Sequence, residues 1–184
     1  MKILKYITQL LLVLFALTNL TLAEDSAREI DSDANGALSV FYNEVNGGKA
    51  YLEKAKGYVV FSDVKEAGFF FGGKYGEGAL RVDGTTKGYY SITSASMGFQ
   101  AGMQTYSLII VFTSDAALKK FMNDDDWDTD MDFNIAMADW NNDEELDDVD
   151  FGSNMVGFVF DSTGMMGNFT MEGTRFERIT PDLD

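Results

Sequence analysis

Residues 68–80 read GFFFGGKYGEGAL, an apolar and aromatic run that is interrupted by glycine at short intervals. Strands explain this run better than helices, because glycine is a poor helix former and aromatic side chains suit a pleated, half-buried surface. Glycines within apolar runs also indicate that neighbouring groups approach the backbone closely. We therefore expect these residues to lie in a glycine-rich β-sheet.

Further strands are predicted on both sides of this run. Asp83-Gly84 indicates a hairpin turn, since both residue types tolerate the positive φ that a tight hairpin needs. Leu108–Phe112 is wholly apolar, which suits a strand that is buried on both faces. The predicted strands begin at Tyr58–Phe61 and continue at 68–80, 89–93, 97–104, 106–113, 155–161 and 165–172.

Three helices are predicted from apolar side chains at helical spacing. The first covers residues 32–46, the second covers 49–56 and ends at Gly57 as a left-handed cap, and the third begins after Ser114. The fold class that follows is α+β: a single domain dominated by a curled, glycine-rich antiparallel β-sheet with a few packed helices.

The first 23 residues have the order of a secretory signal peptide. Lys2 and Lys5 precede an apolar segment that is densest over residues 10–17, and Ala23 supplies a small residue at the expected cleavage site. We expect a signal peptide at 1–23 and one mature domain at 24–184. The protein is then exported, either periplasmic or secreted, with membrane association a further option.

The composition excludes several classes of function. The 184 residues include 30 Asp plus Glu against 14 Lys plus Arg, a net charge of −16, with neither histidine nor cysteine. A thiolate nucleophile, a disulfide and a Ser-His-Asp triad are therefore impossible. The excess of acids argues against nucleic acid as a partner, since affinity for its phosphates comes from Lys and Arg. We expect no enzymatic activity and no cofactor.

Several motifs occur in an order that resembles a known family. Residues 50–61 read AYLEKAKGYVVF, 64–73 read VKEAGFFFGG, 75–80 read YGEGAL and 98–102 read GFQAG. Together they resemble the SYLF domain, a lipid-binding family that is also described as a yeast-type actin-binding domain. The resemblance covers roughly residues 30–180. It implies binding to membrane phospholipids, whereas actin binding belongs to the eukaryotic members and is not carried over to a chain with a signal peptide.

The chain departs from the family pattern at two informative places. Ser62-Asp63 stands where the family usually has a proline after the apolar strand. Trp140-Asn141-Asn142-Asp143, followed by an acidic run, replaces a Gly-Pro segment, so no role of that segment is carried over to this chain.

The candidate lipid-binding residues are the lysines around these motifs and the three adjacent phenylalanines. Ammonium groups meet lipid headgroups, while aromatic rings enter the membrane interface. The alternative is that the lysines only solvate the surface and that at least one ring is core, since alternation sends Phe70 to the opposite face from its neighbours. A neutral or zwitterionic lipid, or a hydrophobic ligand, suits the acidic chain best. The candidates are Lys49, Lys54, Lys56, Lys65, Phe69, Phe70, Phe71 and Lys74.

The acidic segment at 123–150 raises the question of a metal. Asp126, Asp128, Asp130 and Asp132 alternate, but neither the glycine nor the terminal glutamate of a calcium-binding loop follows them. We favour a solvated acidic loop and predict no metal site, with these four as weak candidates. The alternative function is an acidic envelope interaction protein that binds a basic partner or weakly binds calcium.

Overall fold

Ser26 begins the first helix through reciprocal capping. Its hydroxyl accepts a hydrogen bond of 3.3 Å from the Glu29 backbone N–H, and the Glu29 carboxylate accepts one of 2.9 Å from the Ser26 N–H. Helix α1 therefore runs over Ala27–Glu44, five residues earlier than predicted. The computed structural model describes residues 25–68, 71–97, 102–124, 126–128, 135–139, 152–164, 171 and 173–182.

Two shorter helices follow. Helix α2 (Gly48–Leu52) is shorter than predicted, and its left-handed residue is Gly47 at its start, with φ +82°. Gly57 is not a cap, because it opens a strand where an added Cβ would lie 3.0 Å from the Arg81 carbonyl oxygen. Helix α3 (Asp115–Asn123) begins as predicted, with the Ser114 hydroxyl accepting from the Ala117 N–H at 3.2 Å.

Eight strands of the described residues form one sheet, in the order β5-β8-β3-β2-β1-β4-β7-β6. All neighbouring strands are antiparallel except β6 and β7, which are parallel. The α+β class is thereby confirmed. The strands are β1 (Gly57–Gly68), β2 (Phe71–Val82), β3 (Thr85–Met97), β4 (Gly102–Phe112), β5 (Asp126–Asp128), β6 (Ile135–Asp139), β7 (Met155–Gly164) and β8 (Thr174–Ile179).

The predicted Asp83-Gly84 turn joins β2 to β3, with φ of +51° and +70°. Two separate strands are predicted at 97–104 and 106–113, but residues 102–104 belong to the same strand as 106–112, which is β4. Met97 is the last residue of β3, and 98–101 lie outside the described residues. Most of the strand predicted at 165–172 lies outside the described residues. The last strand is β8, which begins at Thr174.

An irregularity in β1 exchanges the faces of the sheet on which the following side chains lie. Asp63 has φ +51°, and the register of β1 with both neighbours shifts between Phe61 and Lys65. Because one extra residue is accommodated there, Val64 and Glu66 continue the face of Phe61, and Lys65 points to the other side. This β-bulge lies at Ser62-Asp63, where the sequence departs from the pattern of the family that it resembles.

Helices cover both faces of the sheet. On one face, Phe41 of α1 packs edge-on against Phe158, with ring centroids 5.3 Å apart, above the buried strand residues Ile109 and Val111. On the other face, Phe121 of α3 packs against Tyr90 at 4.6 Å and Phe112 at 4.9 Å. The predicted strand Leu108–Phe112 is fully buried on both sides, as expected.

Arg81 attaches α1 to the β2–β3 hairpin. Its guanidinium contacts the Asp31 carboxylate at 3.1 Å and the Asn35 side-chain oxygen at 3.1 Å, and it donates to the Thr86 hydroxyl. The Asp31 carboxylate also accepts from the Thr86 hydroxyl at 2.8 Å and the Tyr89 hydroxyl at 3.1 Å. One acid on the helix thus joins both strands of the hairpin.

The segment predicted as a signal peptide lies outside the described residues and stays a prediction. Within the part of the chain that the structure describes, no helix has the length and apolar character needed to cross a membrane.

Candidate functional site

Three of the candidate lysines lie together at one corner of the domain. Lys49 is in α2, and Lys54 and Lys56 are in the connection from α2 to β1; all three are exposed. The connection is fixed by the Lys56 backbone N–H, which donates to the Phe112 carbonyl at 2.9 Å. The Lys56 ammonium lies 3.8 Å from the Asp115 carboxylate, and both groups are solvated, so this ion pair is weak. We call these three lysines the basic corner.

Lys65 is exposed but does not join the basic corner. It lies nine residues beyond Lys56 along β1, which at about 3.3 Å per residue is about 30 Å away. The candidate lysines therefore do not form one continuous patch. Phe69 and Phe70 lie outside the described residues; Phe71 opens β2, and its side chain is not described, so the predicted aromatic contribution stays a prediction.

Lys74 is buried, in contrast to the other candidate lysines. Only 5% of it is exposed, and it lies opposite Glu66 across the β1–β2 pair. On the other side of Glu66, Gln104 donates a hydrogen bond of 3.1 Å from Nε2 to the Glu66 carboxylate. We call Lys74, Glu66, Gln104 and the adjacent Tyr106 the buried polar row.

The electrostatics of this row follow from burial. Burial lowers the pKa of Lys74, and the negative charge of Glu66 opposes that shift. Burial also raises the pKa of Tyr106, and the charge of Glu66 and a hydrogen bond to it act in the same direction. Sequence reasoning missed Glu66, Gln104 and Tyr106. Strand alternation was the available signal, but the bulge before Lys65 inverts it.

Lys65 lines an acidic cleft of about 130 Å³ with Asp25, Asp33, Asp63 and Glu77. The Asp25 backbone N–H donates to the Glu77 carboxylate at 3.2 Å, and the Tyr75 hydroxyl donates to the same carboxylate. Burial is the largest cause of the raised pKa of Asp33. The negative charges of Asp25, Asp63 and Glu29 raise it further. The cleft is therefore a site of mutual repulsion between carboxylates, and it attracts cationic groups.

A second cleft, of about 220 Å³, adjoins the basic corner between the end of α1, α2 and the β2–β3 turn. Burial raises the pKa of Tyr42 to about 12, and smaller contributions come from the charge of Tyr58, a hydrogen bond to it, and the charge of Glu53. We call this the tyrosine cleft. Its lining residues are Tyr42, Leu52, Glu53, Ala55, Gly57, Tyr58, Asp83 and Gly84.

The candidate metal residues are only partly described. Asp126 and Asp128 form β5 and lie opposite Glu177 and Arg175 of β8, so they are strand residues and not loop residues. Asp130 and Asp132 lie outside the described residues. Across the described ranges, no group of three or more acidic, histidine or cysteine side chains is arranged to hold a metal ion.

Comparison with known proteins identifies a family for the second half of the chain. Residues 93–180 match the family model described as Ysc84: Las17-binding protein actin regulator. This is the SYLF family that the sequence motifs indicated, so the resemblance is confirmed over these residues, which contain β4, α3 and β5 to β8. No curated protein matches the chain. At the level of the family, the match supports a lipid- or actin-binding module.

Proposed function

We propose that this chain, with its SYLF-family region at residues 93–180, is an exported module of the cell envelope that binds membrane phospholipid without catalysing a reaction. The observation that carries the proposal is the basic corner. It places three exposed ammonium groups within residues 49–56 of a chain whose net charge is −16.

The energetics favour weak, salt-sensitive binding. A lysine near an anionic membrane surface contributes about 1 kcal/mol, so the basic corner contributes about 3 kcal/mol in total. The remaining negative charge of the chain opposes approach to a strongly anionic surface. We therefore expect the protein to prefer zwitterionic or mildly anionic membranes and to orient the corner toward them. The absence of His and Cys from the sequence supports a role in binding over one in catalysis.

Liposome flotation of residues 24–184, which contain every described element, tests this function. Vesicles of zwitterionic, mixed and anionic phospholipid are compared at low and moderate salt. We expect co-flotation that weakens as salt rises, because exposed charges are screened within about 10 Å at 0.1 M salt. No co-flotation with any composition would overturn the proposal.

A matched pair of triple variants tests the role of the basic corner. Lys49→Gln/Lys54→Gln/Lys56→Gln removes the corner, whereas Lys65→Gln/Lys87→Gln/Lys119→Gln removes three exposed lysines elsewhere. Both variants change the net charge by the same amount. We expect only the first to reduce flotation; an equal reduction in both would show that the overall charge, and not the corner, controls binding.

The acidic cleft supports a second candidate function, the binding of a basic protein partner. Asp33 is held there among other carboxylates, which a lysine- or arginine-rich segment would neutralise. Calorimetry with a lysine-rich peptide tests this: Asp33→Asn should weaken binding, and Asp124→Asn, an exposed change at the end of α3, should not. Equal heats for both variants would reject the acidic cleft as the binding surface.

A further inference from the structure

The tyrosine cleft combines aromatic, apolar and acidic groups at one small opening. Tyr42 comes from α1, Tyr58 from β1, Leu52 from α2 and Asp83 from the β2–β3 turn, so four elements contribute to it. A hydrogen bond joins the two tyrosine side chains. The cleft is thus a built concavity between packed elements and not a groove along a single helix.

The volume limits what the cleft can hold. Pockets for drug-sized ligands measure about 300–1,000 Å³, whereas this cleft measures about 220 Å³. It is too small for an acyl chain and its glycerol together. It suits a compact polar group that projects from a larger molecule, such as the terminal part of a lipid headgroup.

The charges of the lining favour a cation. Glu53 and Asp83 are the charged lining groups, and the negative charge of Glu53 acts on Tyr42. Tyrosine rings attract ammonium groups through their electron-rich faces, and carboxylates add a direct electrostatic attraction. An anion entering the same cleft would be repelled by both acids.

Two lysines adjoin the lining of the cleft along the chain. Lys54 and Lys56 are the chain neighbours of the lining residues Glu53, Ala55 and Gly57, so their backbones lie at its rim. Lys56 has Asp115 as a weak, solvated partner that a phosphate can displace. An acidic, aromatic interior with a basic rim matches a ligand whose ammonium is followed, a few atoms later, by a phosphate.

We propose that the tyrosine cleft binds the positively charged nitrogen of a zwitterionic phospholipid headgroup of the ethanolamine or choline class, while Lys54 and Lys56 meet its phosphate. This inference rests on the proposed membrane function and adds the lipid class to it. It also explains how a strongly acidic chain binds a membrane: the ligand is neutral overall, and each of its charges meets an opposite charge on the protein.

Soluble headgroups test the cleft directly. Residues 24–184 are titrated with O-phosphoethanolamine and phosphocholine, and in parallel with inorganic phosphate and tetramethylammonium, while backbone amide shifts are followed by NMR. We expect both zwitterions to shift the amides of Tyr42, Tyr58 and Asp83. Tetramethylammonium should shift the same amides more weakly, and phosphate should shift only those of the rim.

A charge-matched pair of variants assigns the effect to the lining acids. Glu53→Gln/Asp83→Asn keeps the side-chain shapes, and asparagine tolerates the positive φ of residue 83. Removing two solvated ionic contacts should weaken zwitterion binding by about three- to tenfold. Glu177→Gln/Asp182→Asn, which makes the same change of charge at exposed positions outside the cleft, should leave it unchanged. Equal effects in the two variants, or shifts confined to the rim, would overturn the inference.

Flotation separates this inference from the proposed function. Binding to anionic vesicles alone, with no response of the cleft to the zwitterions, would reject the headgroup assignment and retain the membrane function. A cleft that responds to phosphoethanolamine in a protein that floats with no vesicle would retain the ammonium site and reject the membrane function.

Discussion

Gln104 donates a hydrogen bond of 3.1 Å to the carboxylate of Glu66, and both side chains are at least nine-tenths buried in the middle of the sheet. Glu66 also lies opposite the buried Lys74 on its other side. One carboxylate therefore serves as a hydrogen-bond acceptor for β4 and as the nearby negative charge for β2.

Replacing Glu66 should be costly. Glu66→Ala removes the acceptor of Gln104 and leaves Lys74 buried without this opposing charge, so we expect a loss on the order of 3 kcal/mol in the free energy of unfolding. Urea denaturation measures it. The neighbouring Lys65→Ala is the control, because an exposed side chain on the same strand should cost less than about 0.5 kcal/mol. Similar losses for the two variants would contradict the central role of the row.

Replacing Arg81 should loosen α1. Its guanidinium bridges Asp31, Asn35 and Thr86 in a way that the single ammonium of lysine does not reproduce. We expect Arg81→Lys to lower the free energy of unfolding by about 1–2 kcal/mol and to speed hydrogen exchange in the amides of α1. Arg28→Lys, at an exposed position on the same helix, should change neither. Unchanged exchange in the Arg81 variant would show that apolar packing alone holds the helix.

Two glycines should respond to alanine with opposite signs. An added Cβ at Gly78 would collide with the Val60 carbonyl oxygen and lie 2.6 Å from Phe61 Cδ1, so Gly78→Ala should destabilise by about 3 kcal/mol. At Gly36, in the middle of α1, nothing lies within 4 Å, and Gly36→Ala should stabilise by about 0.4–1 kcal/mol. Thermal unfolding of the two variants is the measurement, and a shift in the same direction for both would refute this account.

The tyrosines should make stability fall at alkaline pH. Burial raises the pKa of Tyr42 and that of Tyr51 to about 12. Because the folded state then holds protons that the unfolded chain has released, their stabilising effect is full below about pH 10 and is lost as pH rises toward 12. Urea denaturation across pH 8–12 should show a shallower decline for Tyr51→Phe than for wild type. Parallel curves would contradict the assignment.

The sequence predicted the sheet well where composition alone determines the structure. Leu108–Phe112 is apolar throughout, and it has to be, because helices cover both faces of the sheet at β4. The turn at Asp83-Gly84 was likewise predictable, because both residue types tolerate the positive φ that the turn requires. In both cases, the local preference and the tertiary environment agree.

The buried polar row was harder to predict, because it depends on one residue inserted into a strand. Simple alternation places Lys65 on the same face of the sheet as Phe61 and Glu66 on the opposite face, and the bulge between Phe61 and Lys65 reverses the two. The burial of Lys74 could not be predicted for a related reason: the sequence does not show that Glu66 lies opposite it on the neighbouring strand. The tyrosine cleft brings together residues 42, 58 and 83, which no local motif connects.

Because β6 and β7 pair in parallel, the chain between them has to span a fixed distance. Asp139 lies level with Val159, whereas Met155, where β7 begins, lies level with Ile135. The intervening chain must therefore return the length of β6, about 13 Å, before β7 can start, which a tight turn cannot do. Parallel pairing therefore sets a minimum length for the chain that joins Asp139 to Met155.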